Sequence, residues 1–451
     1  MRMRIRNMVA FTFVLVSLFS LSFSHFSESR TQKIVYKEIA VYPSIVPAIK
    51  VLEYAIQYGW KINDVHYKFN VTEISRQEVM GFGRKPLTPE NYDVFVIGAS
   101  ARQYVHGIAF KWKDNVRSFI ANGGGYVGIC GGANEASQGM PHPSSVIDRV
   151  IDAGALGISN LYINDDQNEE WQYLYKSSGI NGGVPIACKL SDHPIVNVSP
   201  DNPRVIRYEG GPGLYIANST DPLLGEIIPL AIYVEEPSEK APIHFWKKVN
   251  GEWRIEKPIS TDIKGQYAAI ATTYGKGRIV LFGPHPEERT TIGGHVIEFP
   301  GRTKYTLFRE GYIYSWVDGN VTDWTYNWWI VRRSVAWAAG IPDEHLPPIS
   351  NVSIYLTQPN TWHPSLYING RAIMPAPWGT TIIGSMPFTI HTDVKGEVIF
   401  SVDGKVCYSD ATPPYIWNFD LSIIGKHEIS AEISNKGNTA YAKIDVFIFN
   451  L

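Results

Sequence analysis

Residues 123–137 read Gly-Gly-Gly-Tyr-Val-Gly-Ile-Cys-Gly-Gly-Ala-Asn-Glu-Ala-Ser, and this stretch decides how we interpret the chain. The apolar residues 126–129 predict a buried strand, and the small residues that follow predict a tight turn into a helix. Gly128 and Gly132 stand two positions before and two positions after Cys130. Because the turn is tight, we expect side chains at both positions to collide with neighbouring backbone. The pattern predicts that Cys130 is held in a strained turn between a strand and a helix.

A cysteine in such a turn is suited to nucleophilic chemistry. The arrangement is that of a nucleophile elbow, with cysteine where hydrolases of another superfamily carry serine. The helix that follows favours the thiolate, and the backbone N–H of Gly131 is a candidate oxyanion donor. The alternative is a small buried residue without chemistry. The stretch also contains G-x-G-x-x-G, but this precedes the strand, so we do not interpret it as dinucleotide binding.

A second motif supplies a base. Residues 275–287 form an apolar strand pattern that ends in Gly-Pro-His285-Pro-Glu287. An imidazole at the end of a strand can accept the thiol proton, and a carboxylate two residues later can hold its tautomer. Cys130 and His285 both follow the carboxyl ends of predicted strands, where open α/β sheets gather their sites. We therefore predict a catalytic triad of Cys130, His285 and Glu287.

The rest of the chain divides into two patterns. Short apolar runs alternate with helical stripes over residues 33–342, which predicts an α/β domain with a parallel sheet and helices on both faces. Residues 343–350 are a proline-rich linker. Residues 351–451 hold only strand–turn–strand patterns, with Asn369-Gly370 and Asp403-Gly404 as hairpin turns, and predict an immunoglobulin-like β-sandwich.

Composition excludes several classes of protein. The 451 residues predict two to four domains, and 41 basic against 43 acidic residues leave no excess of positive charge for nucleic acid. The three cysteines, Cys130, Cys188 and Cys407, are too few for a disulfide framework, and we expect all three to be free thiols. No C-x-x-C motif is present. We therefore predict no metal and no cofactor.

The N-terminus predicts export. Arg2, Arg4 and Arg6 precede an apolar run over residues 8–23, which is the length of an export signal and short for a bilayer span. No clear cleavage site follows, so residues 1–30 are either a signal peptide or an N-terminal membrane anchor. Either form predicts an extracytoplasmic protein, secreted or anchored to the cell membrane.

Residues 33–342 resemble class I glutamine amidotransferase-like domains, and most closely the biotin-protein ligase N-terminal-like branch. The matching stretches are residues 123–133, Arg207-Tyr-Glu-Gly-Gly-Pro212, residues 283–287 and residues 335–340. The resemblance implies a flavodoxin-like, doubly wound, mostly parallel sheet.

The resemblance also implies roles for individual residues. Cys130 would be the nucleophile, His285 the base and acid, and Glu287 the orienting carboxylate. The backbones of Gly131 and Gly98 would be oxyanion donors. The implied substrate-binding residues are Asn134, Tyr208, Gly210 and Gly211. Glutamine-hydrolysing members usually carry Gln where this chain has Asn134.

Two function hypotheses follow. The first is an exported Cys-His-Glu hydrolase that cleaves an amide or peptide-type bond of a small molecule or peptide through a thioester. The second is a non-catalytic extracytoplasmic ligand-binding or adhesion protein that uses the same fold.

An acidic stretch, residues 164–170, offers oxygen ligands for Ca²⁺, but it lacks the spacing of a calcium loop, so we expect a solvated acidic loop.

Overall fold

The computed structural model of the chain describes residues 33–43, 48–99, 102–165, 167–303, 310–361 and 363–450. The predicted signal peptide or anchor at residues 1–30 lies outside these ranges. Within them, no helix combines the length and the apolar character that crossing a bilayer requires.

Helices in the described ranges are short, and the longest has 12 residues. They are α1 (Ala48–Ile56), α2 (Arg76–Val79), α3 (Arg102–Gly107), α4 (Phe110–Ala121), α5 (Gly131–Ala136), α6 (Val146–Gly154), α7 (Gln167–Glu170), α8 (Gln172–Tyr175), α9 (Pro237–Lys240) and α10 (Trp328–Ala338). Single 3₁₀ turns lie at Gly179–Asn181, Trp324–Tyr326 and Asp343–His345.

Strands dominate the fold. Those before the linker are β1 (Lys33–Val41), β2 (Tyr58–Ile62), β3 (Val65–Glu73), β4 (Val94–Ile97), β5 (Gly125–Ile129), β6 (Leu161–Ile163), β7 (Val184–Leu190), β8 (Arg204–Tyr208), β9 (Leu214–Ile216), β10 (Ile228–Tyr233), β11 (His244–Val249), β12 (Glu252–Pro258), β13 (Tyr267–Tyr274), β14 (Gly277–Phe282), β15 (Thr291–Ile292), β16 (His295–Arg302), β17 (Glu310–Val317) and β18 (Asn320–Val321). Those after it are β19 (Tyr355–Gln358), β20 (Ser365–Ile368), β21 (Arg371–Pro375), β22 (Thr380–Ile383), β23 (Met386–His391), β24 (Val398–Val402), β25 (Lys405–Asp410), β26 (Tyr415–Phe419), β27 (Ile423–Asn435) and β28 (Asn438–Asn450).

Five strands at the centre of the main sheet are parallel, in the order β3, β1, β4, β5, β14. Successive side chains of β4 point to opposite faces of the sheet, as in any β-strand. Val94 and Val96 pack in the core that contains α1 and α10. Phe95 and Ile97 pack in the core that contains α4. Helices therefore cover both faces of this central part.

Beyond β14 the sheet becomes antiparallel, through β13, β10, β7 and β8. The prediction of a flavodoxin-like, doubly wound and mostly parallel sheet is therefore wrong. Among the residues that the structure describes, strands make up 43 % and helices 18 %, and the main sheet is large and mixed. The physical reason lies in the connections. The chain passes from β13 to β14 through only Gly275 and Lys276, and a turn this short joins antiparallel strands, whereas parallel neighbours need a crossover.

The C-terminal residues form two β-sheets, but they are not separate from the first part of the chain. β2 pairs with the start of β28, so one hydrogen-bonded sheet runs through both parts. The smaller sheet contains β19, β23 and β26. The ring centroid of Trp417 on β26 lies 5.7 Å from that of Phe400 on β24, in the core between the two sheets. The predicted hairpin turns are confirmed, since Asn369, Gly370, Asp403 and Gly404 all have positive φ.

Two buried arginines of α10 hold the linker. The guanidinium of Arg332 donates to the carbonyl oxygens of Ala55 at 2.8 Å, Ser350 at 3.2 Å and Val352 at 2.9 Å. Arg333 donates to the carbonyls of Pro194 and Ile195, before the linker, and to that of Pro347 within it. The junction between the two predicted domains is thus bound to the helix that ends the first.

Candidate active site

Cys130 occupies the turn between β5 and α5. Its φ of 52° and ψ of −104° lie outside the regions that residues with side chains usually adopt. The backbone N–H of Cys130 donates to the carbonyl of Phe282 at 2.7 Å, and its own carbonyl accepts from Ala133 and Asn134 at 3.0 Å. Strained backbone of this kind concentrates at functional sites, so conformation alone makes Cys130 a candidate.

The two glycines around Cys130 are sterically required, as we predicted. A Cβ atom on Gly128 would lie 2.5 Å from the carbonyl oxygen of Gly132. A Cβ atom on Gly132 would overlap the carbonyl oxygen of Ile97, at the end of β4. The close approach of β4, β5 and α5 therefore depends on the absence of side chains at these two positions.

His285 and Glu287 follow the adjacent strand β14. Nδ1 of His285 and Oε1 of Glu287 are 2.9 Å apart, and both side chains are buried. The backbone N–H of His285 donates to the carbonyl of Arg207 at 2.8 Å, and the indole N–H of Trp328 donates to the carbonyl of Glu287 at 2.8 Å. Nε2 of His285 has no hydrogen-bond partner among the described residues. The imidazole is thus held through one nitrogen, and the other remains for the thiol of Cys130 beside it.

The electrostatics favour a protonated imidazole. Burial lowers the pKa of His285, but the charges of Glu287 and Cys130 raise it by more, so that it lies well above its ordinary value of 6.5. The influence of Cys130 on this pKa also shows that thiol and imidazole are neighbours. Such a pair can exchange a proton when a substrate enters.

The loop after β8 runs past the sulfur. Gly210 has a φ of 80° and leaves no room for a side chain, because a Cβ atom there would lie 2.6 Å from the carbonyl oxygen of Glu170. A Cβ atom on Gly211 would lie 3.5 Å from Sγ of Cys130. Gly211 therefore lies beside the sulfur, whereas Gly210 packs against the backbone of Glu170, and their predicted role in substrate binding stays a prediction.

Three buried tyrosines surround Cys130, and two of them were not predicted. Burial, followed by smaller contributions that include the charge of Cys130, raises the pKa values of Tyr104, Tyr208 and Tyr233 well above their ordinary value. Tyr208, a predicted site residue, ends β8. Tyr104 lies on α3 and Tyr233 ends β10, and no motif marks either position. Tyr233 stands at the end of a strand and Tyr104 follows one. This placement identifies them, but it is known only once the sheet is assembled.

Asn134 and Gly98 also border this region. Nδ2 of Asn134 donates to the hydroxyl of Tyr104 at 2.9 Å and to Oε1 of Gln167 at 3.5 Å. Oδ1 of Asn134 is buried without a partner among the described residues. Gly98 is buried directly after β4, next to Leu52. Their predicted roles in substrate and oxyanion binding stay predictions.

Most of the described residues in the acidic stretch 164–170 are buried, so the prediction of a solvated acidic loop is wrong. Asn164, Gln167 and Glu170 are almost completely buried. Nε2 of Gln167 donates to Oδ1 of Asn164 at 3.0 Å and to Oε2 of Glu170 at 3.1 Å. The two amide side chains solvate the carboxylate in place of water, which allows its burial. In the ranges that the structure describes, no group of three or more His, Cys, Asp or Glu side chains is arranged to hold a metal ion.

The three cysteines are not disulfide-bonded. Cys130 and Cys188 are buried, and Cys407 is exposed on β25. Burial raises the pKa of Cys188 far above its ordinary value, so this thiol is unreactive.

Neither family models nor curated proteins match this sequence. Among solved structures, the fibronectin(III)-like modules of CbhA from Clostridium thermocellum align with 22 % identity over 22 % of this chain and 96 % of theirs, with a TM-score of 0.16. A cytoplasmic protein of Salmonella typhimurium aligns with 12 % identity over 55 % of this chain and 86 % of its own, with a TM-score of 0.27.

A β-galactosidase from Rahnella sp. R3 aligns with 9 % identity over 91 % of this chain and 41 % of its own, with a TM-score of 0.34. None of these three structures carries the name of an amidotransferase or a biotin-protein ligase. Because the likenesses are this distant, the function has to be argued from the site itself.

Proposed function

We propose that this protein is an exported cysteine-dependent hydrolase of the amidotransferase-like type, which cleaves an amide or peptide-type bond through a thioester. The observation that carries the proposal is the state of His285. Its Nδ1 is bound to the buried Glu287, and its Nε2 is buried without a partner beside a cysteine in a strained turn. This is the arrangement that nucleophile, base and orienting carboxylate require.

The reaction follows from these roles. Cys130 gives its proton to Nε2 of His285 and attacks the carbonyl carbon of the substrate, so that a C–S bond forms and the carbonyl electrons move to oxygen. The C–N bond then breaks, and the amine leaves with the proton that His285 held. Water, activated by the neutral His285, attacks the thioester, releases the acid and restores the thiol.

An amide other than glutamine is the better substrate class. Asn134 stands where glutamine-hydrolysing members of the resembled family usually carry Gln, and its Nδ2 is engaged by Tyr104. Its shorter side chain, held in this way, reaches less far toward a substrate.

We also infer an extracytoplasmic location from the arginines and apolar run of the N-terminus, with residues 8–23 as the export signal or membrane anchor.

The test starts from a Cys407→Ala background, which removes the exposed thiol. The protein is incubated with p-nitrophenyl acetate as an activated acyl donor, and then with a panel of γ-glutamyl, peptidyl and simple acyl p-nitroanilides. We expect acylation at Cys130, found by peptide mass spectrometry, and release of p-nitroaniline from at least one member. Cys130→Ala should abolish both. An intact wild-type protein whose Cys130 is neither acylated nor alkylated by iodoacetamide faster than Cys188 would refute the proposal.

A second candidate function, binding or adhesion without turnover, is favoured by one surface. Ile368, Ile383, Phe449 and Ile424 lie opposite one another on four adjacent C-terminal strands, and all four are exposed. An apolar row of this kind is typical of interaction surfaces. If this function is the correct one, Cys130→Ala will bind the same partners as the wild type, and the wild type will cleave no amide in the panel.

A further inference from the structure

Tyr208 differs from the tyrosines packed around it. Its ring is fully buried and packs edge-on against Tyr173 and Tyr233, with centroids 5.9 and 6.3 Å away. The hydroxyl of Tyr173 donates to the carbonyl of Ala241 at 2.9 Å, and that of Tyr233 donates to the carbonyl of Pro212 at 3.2 Å. The hydroxyl of Tyr208 has no partner among the described residues. The fold therefore satisfies its neighbours and leaves this donor free.

A buried hydroxyl without a partner is unfavourable, on the order of 1–3 kcal/mol. Phenylalanine would fill the same space without that cost. Tyr208 ends β8, directly before the glycine loop in which Gly211 passes Sγ of Cys130, and the charge of Cys130 is among the causes that raise the pKa of Tyr208. His285, which follows the end of β14, lies beside the same thiol. Tyr208 and His285 therefore both lie near the nucleophile of the proposed reaction.

We propose that the hydroxyl of Tyr208 donates a hydrogen bond to the oxyanion that forms when Cys130 attacks the substrate carbonyl. The inference rests on the proposed function and adds a catalytic residue to it. Tyr208 transfers no proton in this step. The carbonyl electrons move to oxygen as the C–S bond forms, the phenol O–H stabilises that charge, and the electrons return when the leaving group departs. Burial raises the pKa of Tyr208, so the hydroxyl keeps its proton and can donate.

The hydroxyl of Tyr208 would act together with the backbone N–H groups of Gly131 and Gly98, the oxyanion donors that the resemblance implies.

The test compares two reactions of Cys130 in the same protein. Acylation by p-nitrophenyl acetate passes through an oxyanion, whereas alkylation by iodoacetamide does not. In the Cys407→Ala background, Tyr208→Phe should slow acylation about 100-fold, the cost of losing one oxyanion donor. Its alkylation rate should stay at the wild-type value. Tyr173→Phe is the matched control, since its hydroxyl is bound to a carbonyl away from the sulfur, and it should leave both rates unchanged.

Stability gives a second readout. Because the hydroxyl of Tyr208 has no partner, Tyr208→Phe should unfold at the same or a higher urea concentration than the parent, whereas Tyr173→Phe should unfold at a lower one. Equal acylation rates for Tyr208→Phe and the parent overturn the inference and leave the proposed function standing. So does an equal loss of acylation and alkylation, because Tyr208 would then act on the thiol or the fold. A parent protein whose Cys130 is neither acylated nor alkylated faster than Cys188 overturns both, and one whose Cys130 is alkylated but not acylated overturns the inference about Tyr208.

Discussion

We predict that the stability of the protein depends on pH through Glu135, a buried residue on the helix that follows Cys130. The residue lies on α5, its side chain is completely buried, and neither carboxylate oxygen has a partner among the described residues. Burial raises the pKa of Glu135 well above its ordinary value of 4.5, and the nearby charge of Lys113 lowers it by less. The carboxyl is therefore protonated in the folded protein over a pH range in which the unfolded chain has released the proton.

The sign and size of the effect follow from linkage. Above pH 4.5 the unfolded state binds no proton at this site and the folded state binds one, so the free energy of unfolding falls as pH rises. One proton corresponds to about 1.4 kcal/mol per pH unit, and the fall continues until the pH reaches the raised pKa of the folded state. Glu135→Gln replaces the protonated carboxyl with a neutral group of similar shape and removes this dependence.

The assay is urea unfolding followed by tryptophan fluorescence, in steps of one pH unit from 5 upward. The stability of Glu135→Gln relative to the wild type should increase by about 1.4 kcal/mol at each step within the window. Glu252→Gln, on the exposed β12, is the control and should give a constant difference. A stability difference for Glu135→Gln that does not change with pH would show that the carboxyl is ionised in the folded protein, and would refute the reasoning.

Three further predictions concern the triad, the linker and the turn. Glu287→Gln removes the charge that raises the pKa of His285, so NMR titration should find that pKa lower than in the wild type, and an unchanged value would remove Glu287 from the triad. Arg332→Met leaves three carbonyls without their charged donor and should lower the free energy of unfolding by about 3 kcal/mol or more in urea titrations. Arg254→Met, at the surface, should change it by less than about 0.5 kcal/mol, and equal effects would contradict a role for Arg332 at the junction. Gly132→Ala forces a methyl group against backbone and should lower the free energy of unfolding by about 1–3 kcal/mol in urea titrations. An unchanged free energy of unfolding would show that β4 can move away from the new methyl group.

Local features of the fold could be read from the sequence because their causes are local. Helix α4 follows from an apolar stripe with helical spacing, and α10 ends where Gly340 follows it, so both causes act within one element. The hairpin turns at Asn369-Gly370 and Asp403-Gly404 are equally local. The steric demand at Gly128 and Gly132 follows from the tightness of one turn.

The features that could not be read depend on distant partners. The hairpins β11–β12 and β16–β17 lack the clear alternation of a half-buried strand, because much of each hairpin is exposed on both faces. Residues 164–170 look like a surface loop because their composition is polar. Their burial depends on mutual hydrogen bonds and on the contact of Asn164 with the N–H of Gly213, 49 residues away. Polarity in sequence does not distinguish a solvated loop from a satisfied buried network.

One feature of the sheet explains why Cys130 and His285 share an edge although the predicted fold class is wrong. The site depends on a single parallel pair, β5 and β14, in which Ile129 lies opposite Phe282, so that Cys130 and His285 emerge from the same edge of the sheet. That pair is preserved whether the sheet continues as parallel or antiparallel strands. β14 is the strand at which the direction changes, because its other neighbour, β13, is antiparallel. The antiparallel strands beyond it bring Arg207 of β8 back beside His285, and the glycine loop that follows β8 to the sulfur.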